Sequence, residues 1–178
     1  MKNRLRKSFV NAAECKHGGK VQEAKRRLGA EPLDFSANIN PLGSPPLKEL
    51  VSRELKQVGH YPDSSYQGFC RAASRFVQVD PGCIVPGNGS SELIRIFAEA
   101  VLEEGDLAII PTPTFGEYEN QSQLAGGRTE RLAIGKDGTP LLRASDLHRA
   151  KALFLWNPNN PNGRLLSQNE VHDLADRC

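Results

Sequence analysis

Long apolar runs are missing from this chain. No stretch of its 178 residues approaches the ~20 apolar positions that a membrane-spanning helix needs. Nothing near Met1 forms the apolar core of a signal peptide, and the basic opening has too few serines for a transit peptide. Paired cysteines are missing too: Cys15, Cys70, Cys83 and Cys178 are scattered, with no Cys-x-x-Cys spacing. Reduced thiols in a cytoplasmic protein are therefore expected, with no membrane partner. His17, His60, His148 and His172 stand apart in no recognised ligand pattern, so no metal site is expected. There is no Gly-Lys-Ser or Gly-Lys-Thr, which excludes a nucleotide P-loop. Internal repeats and low-complexity tracts are absent as well.

What is present suits a globular protein with a real core: 38% hydrophobic residues and a mean hydropathy of −0.48. The formal charge of +2 conceals an asymmetry. Residues 1–30 carry nine Lys/Arg against two Glu, and the remainder carries 14 against 19. Such a basic arm suits a solvated or subunit-contacting segment, attraction of a phosphorylated small molecule, or nucleic acid. Phe9 is its one aromatic residue, so base stacking has no support and no nucleic-acid partner is expected.

The first 45 residues are irregular, with one short helix near Val21–Leu28 and a strand-like run Leu33-Asp34-Phe35-Ser36. Ser44 is placed to cap a helix whose first turn holds Pro45 and Pro46 and whose stripe is Leu47, Leu50, Val51, Leu55 and Val58. Ser64 and Gln67 fit a capping box for a second helix, with Phe69, Ala72, Ala73, Phe76 and Val77 on one face. From Cys83 the pattern reads strand (Cys83–Pro86), helix (Glu92–Leu102), strand (Leu107–Pro111). Thr129–Ile134 reads as a further strand, Leu147–Lys151 as a helix end and Ala152–Trp156 as a buried strand. This alternation predicts an α/β fold with a mostly parallel sheet flanked by helices. Ser167 and Glu170 form a last capping box, after which no Gly, Asn or Pro closes the helix before Cys178. A helix stopped in mid-stride implies a truncated domain.

Three junctions could carry chemistry. Gly87-Asn88-Gly89-Ser90-Ser91-Glu92 opens a helix, where small residues admit an anion to first-turn N–H groups and two hydroxyls. Alone, such a turn serves equally well as plain structure. Phe115 sits on the proline-stiffened loop Pro111-Thr112-Pro113-Thr114-Phe115-Gly116, where a ring could stack on a flat heterocycle or simply cap the sheet. Asn157-Pro158-Asn159-Asn160-Pro161-Asn162-Gly163 is the most specific of the three. It holds the Asn160 carboxamide at a strand's carboxyl end, where open α/β sheets bind ligands. There an amide can donate to a phenolate oxygen.

Asn-Pro-x-Asn-Pro-x-Gly resembles the signature of the fold-type I, pyridoxal-phosphate-dependent aminotransferases of class I/II. More narrowly, His17-Gly18-Gly19, Leu33–Gly43, Tyr61-Pro62-Asp63, Gly87-Asn88-Gly89, Asn159-Asn160-Pro161 and Ala175–Cys178 resemble the cobalamin-biosynthetic threonine-phosphate decarboxylases. The likeness covers nearly all of this chain and the front half of that family's. The related histidinol-phosphate aminotransferases usually carry Asn-Glu-Asn-Pro where this chain has Asn38-Ile39-Asn40-Pro41.

The resemblance implies a lyase using pyridoxal 5′-phosphate that decarboxylates L-threonine O-3-phosphate, a phosphorylated amino acid. It implies that Gly89, Ser90 and Ser91 bind the cofactor phosphate, that Phe115 stacks on the ring and that Asn160 bonds its 3′ oxygen. Tyr61 would reach the phosphate of a neighbouring subunit, making the full-length enzyme a homodimer. His17, Gly18 and Asn38 would contact substrate; taken alone, His17 is more often an ordinary surface histidine and Tyr61 more often a packing residue. Residues 1–45 then form an arm and substrate-contact segment, and 46–178 an incomplete cofactor-binding domain. No catalytic residue is expected within the chain. The family's cofactor-bound lysine follows the Asn-Pro motif, whereas Lys136 and Lys151 both precede it. Two alternatives stay open: a histidinol-phosphate aminotransferase, and a remnant that binds an anion or another subunit without catalysis.

Overall fold

The computed structural model describes residues 6–11, 15 and 18–178. The chain forms two compact units, Lys16–Pro86 on one hand and Met1–Cys15 with Gly87–Cys178 on the other. The elements in chain order are α1 (Lys7–Asn11), α2 (Val21–Leu28), α3 (Lys48–Glu54), α4 (Gln67–Val77), α5 (Ser90–Val101), β1 (Leu107–Thr112), α6 (Glu117–Ala125), β2 (Arg128–Ala133), α7 (Ala144–Arg149), β3 (Ala152–Leu153) and α8 (Gln168–Ala175). Short 3-10 turns cover Leu55–Gln57 and Pro81–Cys83.

In the unit of residues 16–86, α2 forms over the expected residues and ends at Gly29, whose left-handed backbone returns its N–H to the Lys25 carbonyl. The other starts differ from the sequence expectation, each for a local reason. Ser44 does not cap α3, which begins at Lys48 with Leu47 as its flanking residue. A cap hydroxyl needs N–H donors in the first turn, and neither Pro45 nor Pro46 has one. Ser64 does not cap α4 either. Asp63 accepts from the Ser65 N–H (2.9 Å) and hydroxyl (2.6 Å), and Tyr66 then enters the helix at φ 51°. Leu33–Ser36 is not a strand, because Asp34 Oδ1 accepts from the Ser36 N–H at 2.8 Å and curls the run into an Asx turn. Cys83–Pro86 is not a strand: the Pro81–Cys83 turn, held by Asp80 Oδ1 and the Gly82 N–H, absorbs its start. Ile84 is extended but pairs with no strand among the described residues. The apolar stripes of α3 and α4 exist as spaced, yet neither helix contains a buried residue.

The other unit is built on a three-stranded sheet of order β2-β1-β3, parallel throughout. β1 is central because Leu107-Ala108-Ile109-Ile110 is apolar on both faces, and all of it is buried. β2 contains no fully buried residue, as suits an edge strand. The expected strand Ala152–Trp156 shortens to Ala152–Leu153, with one more ladder bond from Phe154 N–H to the Ile109 carbonyl at 3.1 Å. Ala98 of α5 and Leu102 just after it join Ala108, Ile110, Tyr118, Ala152 and Phe154 in one apolar cluster. α7 starts with the carboxylate of Asp146, fully buried, accepting from the Arg143 N–H and from the guanidinium groups of Arg143 and Arg149. α8 begins at the predicted capping box, with Ser167 Oγ and the Glu170 N–H 3.3 Å apart and the Ser167 N–H donating to Glu170 Oε2 at 2.7 Å. It ends at Ala175, where the Asp176 N–H returns to the His172 carbonyl. No helix among the described residues is long and apolar enough to cross a membrane.

Candidate active site

Because β1 and β3 are parallel neighbours, the segments that follow them leave the same edge of the sheet. One segment is Pro113-Thr114-Phe115 and the other is Asn157–Gly163. α5 reaches that edge by a different route. A tight turn at its C-terminus, closed by the Glu103 N–H to Asp106 Oδ2 at 3.0 Å, sends the chain straight into β1. α5 therefore runs back along the sheet, and Ile94, one turn from its start, packs on the same cluster as Phe115 and Trp156.

The start of α5 is open. No side chain caps it, so the first-turn N–H groups have no side-chain acceptor in front of them, and Gly89, Ser90 and Ser91 are all exposed. Gly89 takes φ 84° and ψ 171°, a region that only glycine enters cheaply. At Gly87 a Cβ would sit 2.7 Å from Leu93 Cδ2, so a larger residue there would have to displace the Leu93 side chain. Glu92 fixes the turn from behind, accepting the Asn88 N–H at 2.6 Å and the Asn88 side-chain amide at 3.1 Å. The backbone N–H of Asn88 chiefly holds the Glu92 carboxyl below its ordinary range, against desolvation and with help from the Asn88 side-chain amide and the charge of Arg95.

Phe115 is half-buried, with its ring edge-on to Trp156 at 4.7 Å and to Tyr118 at 6.1 Å. Tyr118 stacks in turn on Phe154 at 5.0 Å, and burial pushes its phenol up to about 12. Immediately after Phe115, the buried carboxyl of Glu117 accepts from Gln121 Nε2 at 2.6 Å. It also faces Cys15, whose thiol is pushed up to about 11 by desolvation, then by hydrogen bonding to Glu117 and by its charge.

The Asn157–Gly163 loop is closed at its base by Asn157. Its amide oxygen accepts from the Leu166 N–H at 2.7 Å, and its amide nitrogen donates to the Leu166 carbonyl at 3.1 Å. Asn160, half-buried, lies within this loop. Asn159 spans the two loops, accepting from Thr114 Oγ1 at 2.7 Å and donating to the Pro113 carbonyl at 3.0 Å.

Gly89, Ser90, Ser91, Phe115 and Asn160 thus all belong to the unit of residues 87–178. Gly18, Asn38 and Tyr61 belong to the other unit. Gly18 and Asn38 are exposed there and Tyr61 is fully so, while Gly19 N–H donates to Ser36 Oγ at 2.9 Å. His17 lies outside the described residues. Sequence reading missed Glu92, Asn159 and Glu117. An acid in a first helical turn is a visible signal for Glu92, but nothing in the sequence pairs Asn159 with a residue 45 positions away. Among the described residues no cluster of His, Cys, Asp and Glu could hold a metal ion.

The donor set suits a phosphorylated planar heterocycle: uncapped N–H groups and hydroxyls for a dianion, an aromatic ring on one loop and a carboxamide on the other. Comparison with known proteins points the same way. The chain is 38% identical over 91% of its length to the threonine-phosphate decarboxylase of Salmonella typhimurium, spanning 46% of that protein. It is 31% identical over 82% of its length to the histidinol-phosphate aminotransferase of Ruminiclostridium cellulolyticum, spanning 44% of it. The chain therefore covers about half the length of these curated relatives. The histidinol-phosphate aminotransferase of Sinorhizobium meliloti, solved with pyridoxal 5′-phosphate, shares the fold at a TM-score of 0.83 and 20% identity, over 98% of this chain and 48% of that one. The family described as aminotransferase class I and II matches residues 30–178, a span that holds the Gly87–Glu92 turn, the Phe115 loop and the Asn-Pro loop together. This chain belongs to the aminotransferase class I and II family.

Proposed function

We propose that this chain supplies the cofactor floor of an enzyme that removes CO2 from L-threonine O-3-phosphate, giving aminopropanol phosphate for cobalamin biosynthesis. The cofactor is pyridoxal 5′-phosphate. The observation that carries this reading is the uncapped start of α5, whose next turn packs through Ile94 on the cluster that also holds Phe115 and Trp156.

When bound, the cofactor offers an electron sink for the pair left at the substrate Cα. The residues of this chain bind and orient. Gly89, Ser90 and Ser91 hold the phosphate, Phe115 lies against the ring and Asn160 donates to the 3′ oxygen. Tyr61 reaches the phosphate of a neighbouring subunit in a homodimer. His17, Gly18 and Asn38, in the segment 1–45, contact the phosphorylated amino acid, and residues 46–178 form the cofactor-binding part. In the reaction the Cα–carboxylate bond breaks, CO2 leaves and a proton returns to Cα. We assign the cofactor-bound lysine and the substrate-carboxylate residues to the part of the relatives' length that this chain does not span.

The higher identity to the decarboxylase and the Asn38-Ile39-Asn40-Pro41 segment support decarboxylation. Histidinol-phosphate aminotransferase is the second reading, favoured by relatives at 31% identity. The test begins with the intact mass of the protein from its native source, followed by assays on that protein. CO2 release from L-threonine O-3-phosphate supports the proposal. Amino transfer from histidinol phosphate to 2-oxoglutarate replaces it with the second reading. A native mass of 19.5 kDa with neither activity favours a non-catalytic anion-binding or subunit-contact role.

A further inference from the structure

We propose that Asn159 is the positioning residue of this site, setting the gap between the Phe115 ring and the Asn160 amide. The inference rests on the cofactor reading above and adds a residue to which that reading assigns no role.

Asn159 is bonded within its own loop and across to the neighbouring one. Its backbone N–H donates to the Arg164 carbonyl at 2.7 Å and its carbonyl accepts from the Gly163 N–H at 2.7 Å, so its own loop is closed around it. Its side chain then crosses to the other loop, accepting from Thr114 Oγ1 at 2.7 Å and donating to the Pro113 carbonyl at 3.0 Å. The second amide hydrogen goes to Asn162 Oδ1 at 2.9 Å. The orientation of the amide follows from its neighbours. The Pro113 carbonyl can only accept, so the NH2 must face it and the oxygen must face the Thr114 hydroxyl.

Thr114 immediately precedes Phe115, and Asn159 immediately precedes Asn160. One carboxamide therefore ties the backbone beneath the aromatic plate to the backbone beneath the 3′-oxygen donor. A shift of either loop changes the slot a flat ring would enter. No lengthening of one bond can be absorbed by Asn159 alone, because its main chain is held on both sides.

The test uses the protein produced from its intact gene, with Asn159→Asp, Thr114→Val and Thr114→Ser compared with wild type. Two readouts are taken: the dissociation constant for pyridoxal 5′-phosphate and the melting temperature of the cofactor-free protein. Asn159→Asp loses both amide donors and sets a charge against two acceptors, so cofactor affinity is expected to fall about tenfold or more. Thr114→Val removes one donor and is expected to weaken binding severalfold, while Thr114→Ser keeps the hydroxyl and restores it. Affinities equal to wild type in Asn159→Asp and Thr114→Val, with only the melting temperature lowered, overturn the positioning role and leave the cofactor reading intact. A wild-type protein that does not bind pyridoxal 5′-phosphate overturns both.

Discussion

The carboxylate of Glu92 accepts both donors of Asn88, the backbone N–H at 2.6 Å and the side-chain amide at 3.1 Å, from the first turn of the helix that this residue precedes. The acid at that position engages the Asn88 N–H, while Gly89, Ser90 and Ser91 stay exposed. It is a brace for the turn, placed behind it.

Replacing Glu92 with alanine should therefore weaken binding of pyridoxal 5′-phosphate, whereas glutamine, which keeps an acceptor, should do so less. The Glu92 carboxyl is held low in the folded protein, so its contribution is complete above the ordinary carboxylate pKa and is lost as the pH falls through the lowered value. Calorimetric titration across the acid range reads this directly. Equal affinity in wild type and Glu92→Ala would discard the brace.

Gly89→Ala separates backbone strain from crowding. No atom lies within 4 Å of the position a Cβ would take, yet φ is 84°. The substitution should destabilise the turn by about 1–3 kcal/mol through strain alone. Urea denaturation of the two proteins measures it, and an unchanged midpoint would mean the turn relaxes to another backbone conformation.

Phe154 is buried between Phe97, edge-on at 5.5 Å, and Tyr118, stacked at 5.0 Å. Phe154→Ala should cost about 3–5 kcal/mol of unfolding free energy, the range for a buried aromatic cut back to a methyl. Phe154→Leu should cost less. The comparison uses the same urea titration, and a loss below 1 kcal/mol (a marginal core site) would contradict the burial seen for this ring.

Cys15 and Glu117 predict a reactivity order. With its thiol pushed up to about 11, Cys15 should label more slowly with iodoacetamide at pH 8 than the exposed Cys83 and Cys178. Peptide mapping by mass spectrometry gives the order. A raised folded pKa contributes stability that is whole below the ordinary thiol value and is lost as the pH rises through about 11. Alkaline melting curves of wild type and Cys15→Ala should converge there, and early labelling of Cys15 would count against the buried contact.

Elements whose signals lie within one turn of chain were legible. α2 spans Val21–Leu28 as the spacing indicates, and the Ser167–Glu170 box forms with both partners in place. Local signals failed where a nearer competitor took the same donors. Asp63 claims the Ser65 N–H ahead of Ser64, Asp34 curls a strand-like run, and Pro46 has no N–H to offer Ser44. The turns at Gly87–Glu92, Pro111–Gly116 and Asn157–Gly163 were legible as turns because glycine, proline and asparagine at those positions constrain the backbone directly. Glu92 was half-legible, as an acid in a first turn. Asn159 was not, since its partners are set by which strands become neighbours.

The sequence by itself determined the alternation of helix and strand from α5 onward, the parallel character of the sheet, and the residue types set at the Gly87–Glu92 turn, the aromatic loop and the Asn-Pro loop. All of these depend on side-chain type and on contacts a few residues apart. Only the tertiary structure decided that β1 lies between β2 and β3, that two loops 45 residues apart share one sheet edge, and that Asn159 joins them. Strand order is settled by which apolar faces are buried together and which ladder closes, and those are contacts between distant segments that no local pattern encodes.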